Sequence, residues 1–275
     1  MKMITYSIKL VKPCFDTAHL SFYDSIQYPR TLPVNHHISM TTQKEEHMRS
    51  MGAYVAEFIG TFTLILAGAG SIIVTHDMGG VAALIAIAFA HGFAIAVMAS
   101  ALGAVSGGHF NPAVTLAMLL GGHMKLMRAA SYMIAQLTGA VAGGLALAYL
   151  FFPTAWHAAQ LGTPMLAANV SGLQGMFIEA ILTFFLVIVI HGTAVDTRAP
   201  KVGALFIGLT ITMDILLGGP LTGAAMNPAR TFGPALVGWL AGASYNPWTG
   251  HLVYWFGPIL GALAAQVVYA KYWSE

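Results

Sequence analysis

The sequence predicts an all-α membrane protein: six transmembrane helices plus two re-entrant half-helices, arranged as an inverted repeat. Three observations carry this. The 275-residue chain is 57% hydrophobic and 8% charged, and several apolar runs exceed the roughly 18 residues that mark a membrane span. An Asn-Pro-Ala triplet occurs twice, as Asn111-Pro112-Ala113 and Asn227-Pro228-Ala229, each behind small, Gly-rich chain. The stretch Ala56-Glu57-Phe58-Ile59-Gly60-Thr61-Phe62 is echoed by Ile178-Glu179-Ala180-Ile181-Leu182-Thr183-Phe184.

Residues 1–50 stand apart as an N-terminal tail, and 51–275 as the membrane domain. The tail holds half of the Lys and Arg and no long apolar run, so it reads as flexible cytoplasmic chain or as an over-extended start. It lacks the apolar core and cleavage site of a signal peptide. The first repeat covers about 53–151. Its first span, about Ala53 to Thr75, places Glu57 and Thr61 four apart on one face, where they can meet. The second span runs from about Val81 to Val105 and holds His91. The helix behind the first triplet ends at Gly121-Gly122; at roughly 15 Å it spans half a bilayer core. The third span, about Ala129 to Phe151, carries Gln136 and the small-residue face Gly139/Gly143.

A polar-aromatic loop, Phe152 to Ser171, leads into the second repeat, about 173–272. Its spans are expected at about Leu173 to Ala194, Val202 to Leu217 and Leu252 to Tyr272, the last with Gly257/Gly261. The second half-helix runs to about Gly238-Trp239. Three crossings per half is an odd number, so the halves are inverted and the half-helices enter from opposite faces. Lys125, Arg128, Arg198, Lys201 and Lys271 then all fall on the side of the N-terminus. By the positive-inside rule both termini are cytoplasmic. Arg230 is the exception.

Asn is a preferred N-cap, and Pro suits the first helical position, where its missing N–H would be unpaired anyway. Each triplet is therefore a helix start inside the membrane, which marks a site. Each cap oxygen accepts from helix N–H groups and leaves the NH₂ to donate outward. The two helix dipoles point positive ends at the same place and oppose cations. Irregular backbone at this depth lines a wet cavity, so the carbonyls of Gly107, Gly108, His109, Gly223 and Ala225 are expected to face a pore. Arg230, one turn beyond Asn227, costs at least about 2.5–3.5 kcal/mol to insert. Such a fixed cation repels others and hydrogen-bonds a passing solute.

These residues resemble the aquaporin (major intrinsic protein) family over about 52–275. The resemblance rests on Ser106-Gly107-Gly108-His109-Phe110-Asn111-Pro112-Ala113-Val114, on Met226-Asn227-Pro228-Ala229-Arg230 and on the duplicated Glu-xxx-Thr. It implies a passive channel for water, a homotetramer with one pore per subunit, and a constriction at His91, Ile215, Ala224 and Arg230. That set is similar to plant vacuolar aquaporins and implies a broader pore, open to ammonia, urea or hydrogen peroxide. Glu57 and Glu179 are implied to brace the loops, and His109 to line the inner mouth. A glycerol or polyol facilitator is the alternative, but Thr231 stands where those resemble Asp, and Ala235 where they often carry a basic residue.

An ion-coupled transporter would need a coupling site, for which only Glu57, Glu179 and Asp214 offer themselves. Asp214 is one step from Ile215, about 100 degrees around the helix, so it should not share the pore face. The partners expected are the lipid bilayer of the cell membrane (plasma or inner), water and small neutral solutes. Nucleic acid, cofactor, metal and enzymatic chemistry are not expected: the histidines lack metal-ligand spacing, and no nucleophile–base set is visible.

Overall fold

The computed structural model describes residues 36–273. Cys14 and the tail up to residue 35 lie outside the described residues. By chain contacts, Glu45–Glu275 form one unit, which holds every site discussed below. Within the other unit, Met1–Lys44, the described part is the opening of the first helix.

In chain order the helices are α1 (His36–Thr63), α2 (Gly70–Val74), α3 (Gly80–Ser106), α4 (Pro112–Leu120), α5 (Leu126–Leu150), α6 (Pro153–Ala158), α7 (Gly172–Ile190), α8 (Gly203–Thr222), α9 (Pro228–Leu240) and α10 (Val253–Tyr272). A π-type turn, Leu64–Ala69, joins α1 to α2 without a break in the rod. A second, His191–Val195, extends α7. Among the described residues six rods are long and apolar enough to cross a membrane: His47–Val74, Gly80–Ser106, Leu126–Leu150, Gly172–Val195, Gly203–Thr222 and Val253–Tyr272. Helices α4 and α9 are the two half-helices.

Three boundaries differ from the sequence expectation. Helix α1 reaches back to His36, into the expected tail, because no Gly or Pro interrupts 36–51. Helix α8 continues past Leu217, through Gly218, Gly219 and Pro220, to Thr222. Pro220 forfeits one backbone bond, but an unwound chain at this depth would forfeit more. The two glycines admit neighbours: a methyl group at Gly218 would stand 2.5 Å from Leu182 Cδ1, and one at Gly219 2.8 Å from Leu84 Cδ1. The loop 152–171 is partly helical, with Pro153 starting α6 at its first position.

The glycine faces close the bundle from within. Gly143 meets Ile65 (2.7 Å for an added methyl) and Gly139 the backbone of Phe58; Gly257 meets Met176 O (2.8 Å) and Gly261 the backbone of Ala180. So α5 packs on α1 as α10 packs on α7. These faces are used inside the protomer and supply no support for a tetramer.

Candidate functional site

Helices α3 and α8 end alike. Gly107 (φ 94°) and Gly223 (φ 79°) are left-handed, and their N–H groups donate to Gly103 O (2.8 Å) and Gly219 O (3.0 Å). A side chain would strain that conformation, so glycine ends both helices. The chain then turns back to start α4 and α9. Asn111 Oδ1 accepts from Ala113 N (2.9 Å), and Asn227 Oδ1 from Ala229 N (3.0 Å) and Arg230 N (3.3 Å).

The cap amides cross over. Asn111 Nδ2 donates to Met226 O (2.8 Å), and Asn227 Nδ2 donates to Phe110 O (2.9 Å). Each half-helix is thus tied to the loop of the other. An amide carries two N–H donors, so each Asn keeps one beyond the crossed bond. Phe110 (φ 48°) and Met226 (φ 51°) are left-handed non-glycines, which costs on the order of 1–2 kcal/mol each. Glu57 and Glu179 hold them there: Glu57 Oε2 accepts from Phe110 N and Glu179 Oε2 from Met226 N, both at 2.7 Å.

The carboxylates do more. Glu57 Oε1 accepts from Ser106 Oγ (2.7 Å) and His109 N (3.0 Å); Glu179 Oε1 accepts from Thr222 Oγ1 (2.6 Å) and Ala225 N (2.9 Å). Behind them, Tyr132 donates to Ser106 O and Tyr254 to Thr222 O. Thr61 and Thr183 do not meet the carboxylates. Their hydroxyls donate to the backbone oxygens of Glu57 (2.9 Å) and Glu179 (2.7 Å), the nearest acceptors one turn back on a helix.

The halves are not identical. Gln136 Nε2 donates to Glu57 Oε2 (2.7 Å) and Thr115 Oγ1 (2.9 Å), and His109 Nδ1 also pairs with Thr115 (3.1 Å). In the second half Thr231, at the place of Thr115, has a buried hydroxyl without a partner among the described residues.

A cavity of about 670 Å³ runs along this arrangement. Its polar lining comes from the loops: Gly107, Gly108, His109, Asn111, Ala225 and Asn227. Its apolar lining comes from the spans, including Ile95, Leu186, Ile207 and Ile211. His123, Lys125 and Arg128 line one mouth. The cavity also brings together His91, Ile215, Ala224 and Arg230. Gly223 lies outside it; its left-handed turn carries it against Pro164, 3.0 Å from an added methyl. Asp214 is also off the cavity, 2% exposed, with Oδ2 lacking a partner among the described residues.

Arg230 is 2% exposed. Its Nη1 donates to Gly162 O (2.7 Å), and its Nη2 lies 3.2 Å from His91 Nε2. A guanidinium only donates, so Nε2 must accept and the ring proton sits on Nδ1. That agrees with Nδ1 at 2.8 Å from Ile87 O, which only accepts. His91 is therefore held as the neutral Nδ1–H tautomer, between its own helix and the arginine. The Gly162 carbonyl comes from the 159–171 segment. Tyr245 steadies that segment, donating to Gln160 O (2.7 Å) and pairing with Thr163 (3.2 Å); burial pushes its phenol above the usual tyrosine range. Gly162, Tyr132, Thr222 and the Phe110 and Met226 carbonyls escaped the sequence reading. Aligning the halves on Asn-Pro-Ala pairs Ser106 with Thr222 and would have found the hydroxyls. No side-chain pattern announces a carbonyl.

Six spans around a cavity with a polar strip and a buried arginine define a membrane channel rather than an enzyme. The Major intrinsic protein profile matches residues 44–269. The chain is similar to the probable aquaporin TIP3-2 of Arabidopsis thaliana, 41% identical over 242 residues, 81% of this chain and 84% of that one. Aquaporin TIP4-4 of Zea mays is 44% identical over 226 residues, 79% and 84% of the two chains. The X-ray structure of an aquaglyceroporin from Plasmodium falciparum matches with a TM-score of 0.73 at 25% identity, covering 81% of this chain and 96% of that one. The chain belongs to the major intrinsic protein family. It is a multi-pass integral membrane protein and a passive water channel.

Proposed function

We propose that water passes in file along the polar strip, that Asn111 and Asn227 mark its midpoint, and that His91, Ile215, Ala224 and Arg230 set its selectivity. The crossed bonds of the two Asn caps support this most directly. They bring two positive helix ends and two spare donors to one place, suited to a neutral molecule with an acceptor oxygen. Ions and protons meet the same field plus the Arg230 charge and are excluded. Proteoliposomes holding the protein are expected to swell faster than empty ones in an osmotic step, with weak temperature dependence and no ion gradient. No acceleration would overturn the proposal.

Ammonia, urea and hydrogen peroxide are proposed as further solutes, because a histidine and an aliphatic residue at 91 and 215 leave the constriction partly apolar. Glycerol conduction is not favoured, since Thr231 and Ala235 replace the acidic and basic residues expected of a facilitator. Uptake of urea and glycerol in the same vesicles separates the two.

The four-residue set contains no cysteine, and Cys14 is the chain's one thiol. Mercuric chloride is expected to leave water permeability unchanged. Strong block by mercury of a tail-truncated protein would contradict this expectation. Homotetrameric assembly and cytoplasmic termini are proposed as well, the second from the placement of Lys125, Arg128, Arg198, Lys201 and Lys271. The mass of the detergent-solubilised protein and protease access from each face test them.

A further inference from the structure

The first rod is not a plain helix where it passes the constriction. Leu64–Ala69 form a π-type turn, flanked by regular helix on both sides. Such a turn inserts one extra residue per turn and displaces the backbone locally, and it recurs at functional sites. Here it does two things. It places Gly68 against the flat side of the His91 ring: a methyl group at Gly68 would stand 2.5 Å from Cδ2 and 2.6 Å from Nε2. It also places Ala69 against Gly162, whose added methyl would lie 2.6 Å from Ala69 O and 2.7 Å from Ala69 Cβ. His91 Nε2 and Gly162 O are the two groups on which the Arg230 guanidinium rests. Neither Gly68 nor Ala69 lines the cavity.

We infer that Gly68, on the π-type turn, is a positioning residue for selectivity: it seats the His91 ring against Arg230 and thereby sets how much of the lumen that bonded pair leaves open. The ring has little other freedom. Its Nδ1 is tied to Ile87 O, 2.8 Å away, and its Nε2 faces the arginine. Any side chain at 68 must push the ring off this seat, breaking one of those contacts or moving the imidazole into the lumen. The lumen is the open side of that seat, so the displacement is passed to the passage itself rather than taken up by repacking of the neighbouring spans. The inference rests on the proposal that His91 belongs to the constriction.

The test is a double-mutant cycle on the full chain in proteoliposomes, with osmotic water permeability normalised to inserted protein. Gly68→Ala is expected to lower permeability by about tenfold, because the displaced imidazole obstructs the lumen and raises the barrier there. Gly70→Ala, on the same rod but facing Leu147 Cδ2 at 3.1 Å, is the control and should stay within about twofold of the native protein. In a His91→Ala background the ring is gone, so adding Gly68→Ala should change permeability by less than about twofold. Equal losses in both backgrounds, or no loss in the native one, would overturn the inference. If Gly68→Ala does not fold but the double variant does, the steric coupling is upheld; if neither folds, Gly68 serves helix packing and the inference fails. His91→Ala alone reports on the constriction: native permeability to both water and urea in that variant defeats the constriction proposal, whatever Gly68→Ala does.

Discussion

Arg230→Val is expected to give a channel that still conducts water but leaks protons and small cations. Valine is the apt replacement because Val114 holds the matching place after the first Asn-Pro-Ala. Arg230 is buried, bonded to a carbonyl and an imidazole, and among the described residues no carboxylate bonds to its guanidinium. A cation about 4 Å from such a charge is opposed by about 4 kcal/mol at the effective dielectric of a protein site. That corresponds to roughly a thousandfold in rate. Removing the charge also leaves Gly162 O and His91 Nε2 as bare acceptors, which suit water or hydronium better than a fixed cation does. Water permeability should hold within a few-fold, while proton flux into vesicles, followed with an entrapped pH dye, rises by orders of magnitude. Proton flux equal to that of the native channel would place the whole barrier at the paired helix ends instead.

The two helix starts were legible because capping is local chemistry: Asn, then Pro, then a small residue, states where a helix begins. The six spans were legible for the same reason, through composition along short windows. What the sequence could not show is what backbone does. The crossed Asn bonds end on the carbonyls of Phe110 and Met226, and the arginine rests on the carbonyl of Gly162. Such acceptors belong to every residue and are selected only by the turn that aims them. The continuation of α8 through Pro220 and the π-type turn at Leu64–Ala69 are tertiary outcomes, fixed by what packs on Gly218, Gly219 and Gly68. Glu-xxx-Thr shows the limit of a pattern. The pair does lie on one helical face, yet its carboxylates reach across to the loops while its hydroxyls turn to their own backbone. Gly223 matches Gly107 by spacing, yet no residue pattern shows that the 159–171 segment packs against it.

Glu179→Gln is expected to damage the channel nearly as much as Glu179→Ala, although glutamine has almost the same shape. Every group facing the carboxylate is a donor: Thr222 Oγ1 and Ala225 N on one oxygen, Met226 N on the other. A glutamine presents an NH₂ to one of these places, donor against donor, and the Thr222 hydroxyl can turn away while a backbone N–H cannot. Leaving a buried donor unpaired costs about 1–3 kcal/mol, so alanine forfeits about 3–9 kcal/mol across the three. The loss does not spread evenly. Met226 loses what holds it at φ 51°, and its carbonyl is the acceptor for Asn111. The crossed bond goes with it, and the helix start of α4 is no longer tied to the second loop. Both variants should therefore lose water conduction by more than tenfold per inserted molecule, with a lower unfolding temperature in detergent. Glu57→Gln should be milder, because Gln136 Nε2 and the Ser106 and Thr115 hydroxyls give that site side chains that can rearrange. Normal conduction by Glu179→Gln, or greater damage from Glu57→Gln, would show that the loops are held by packing and not by these carboxylates.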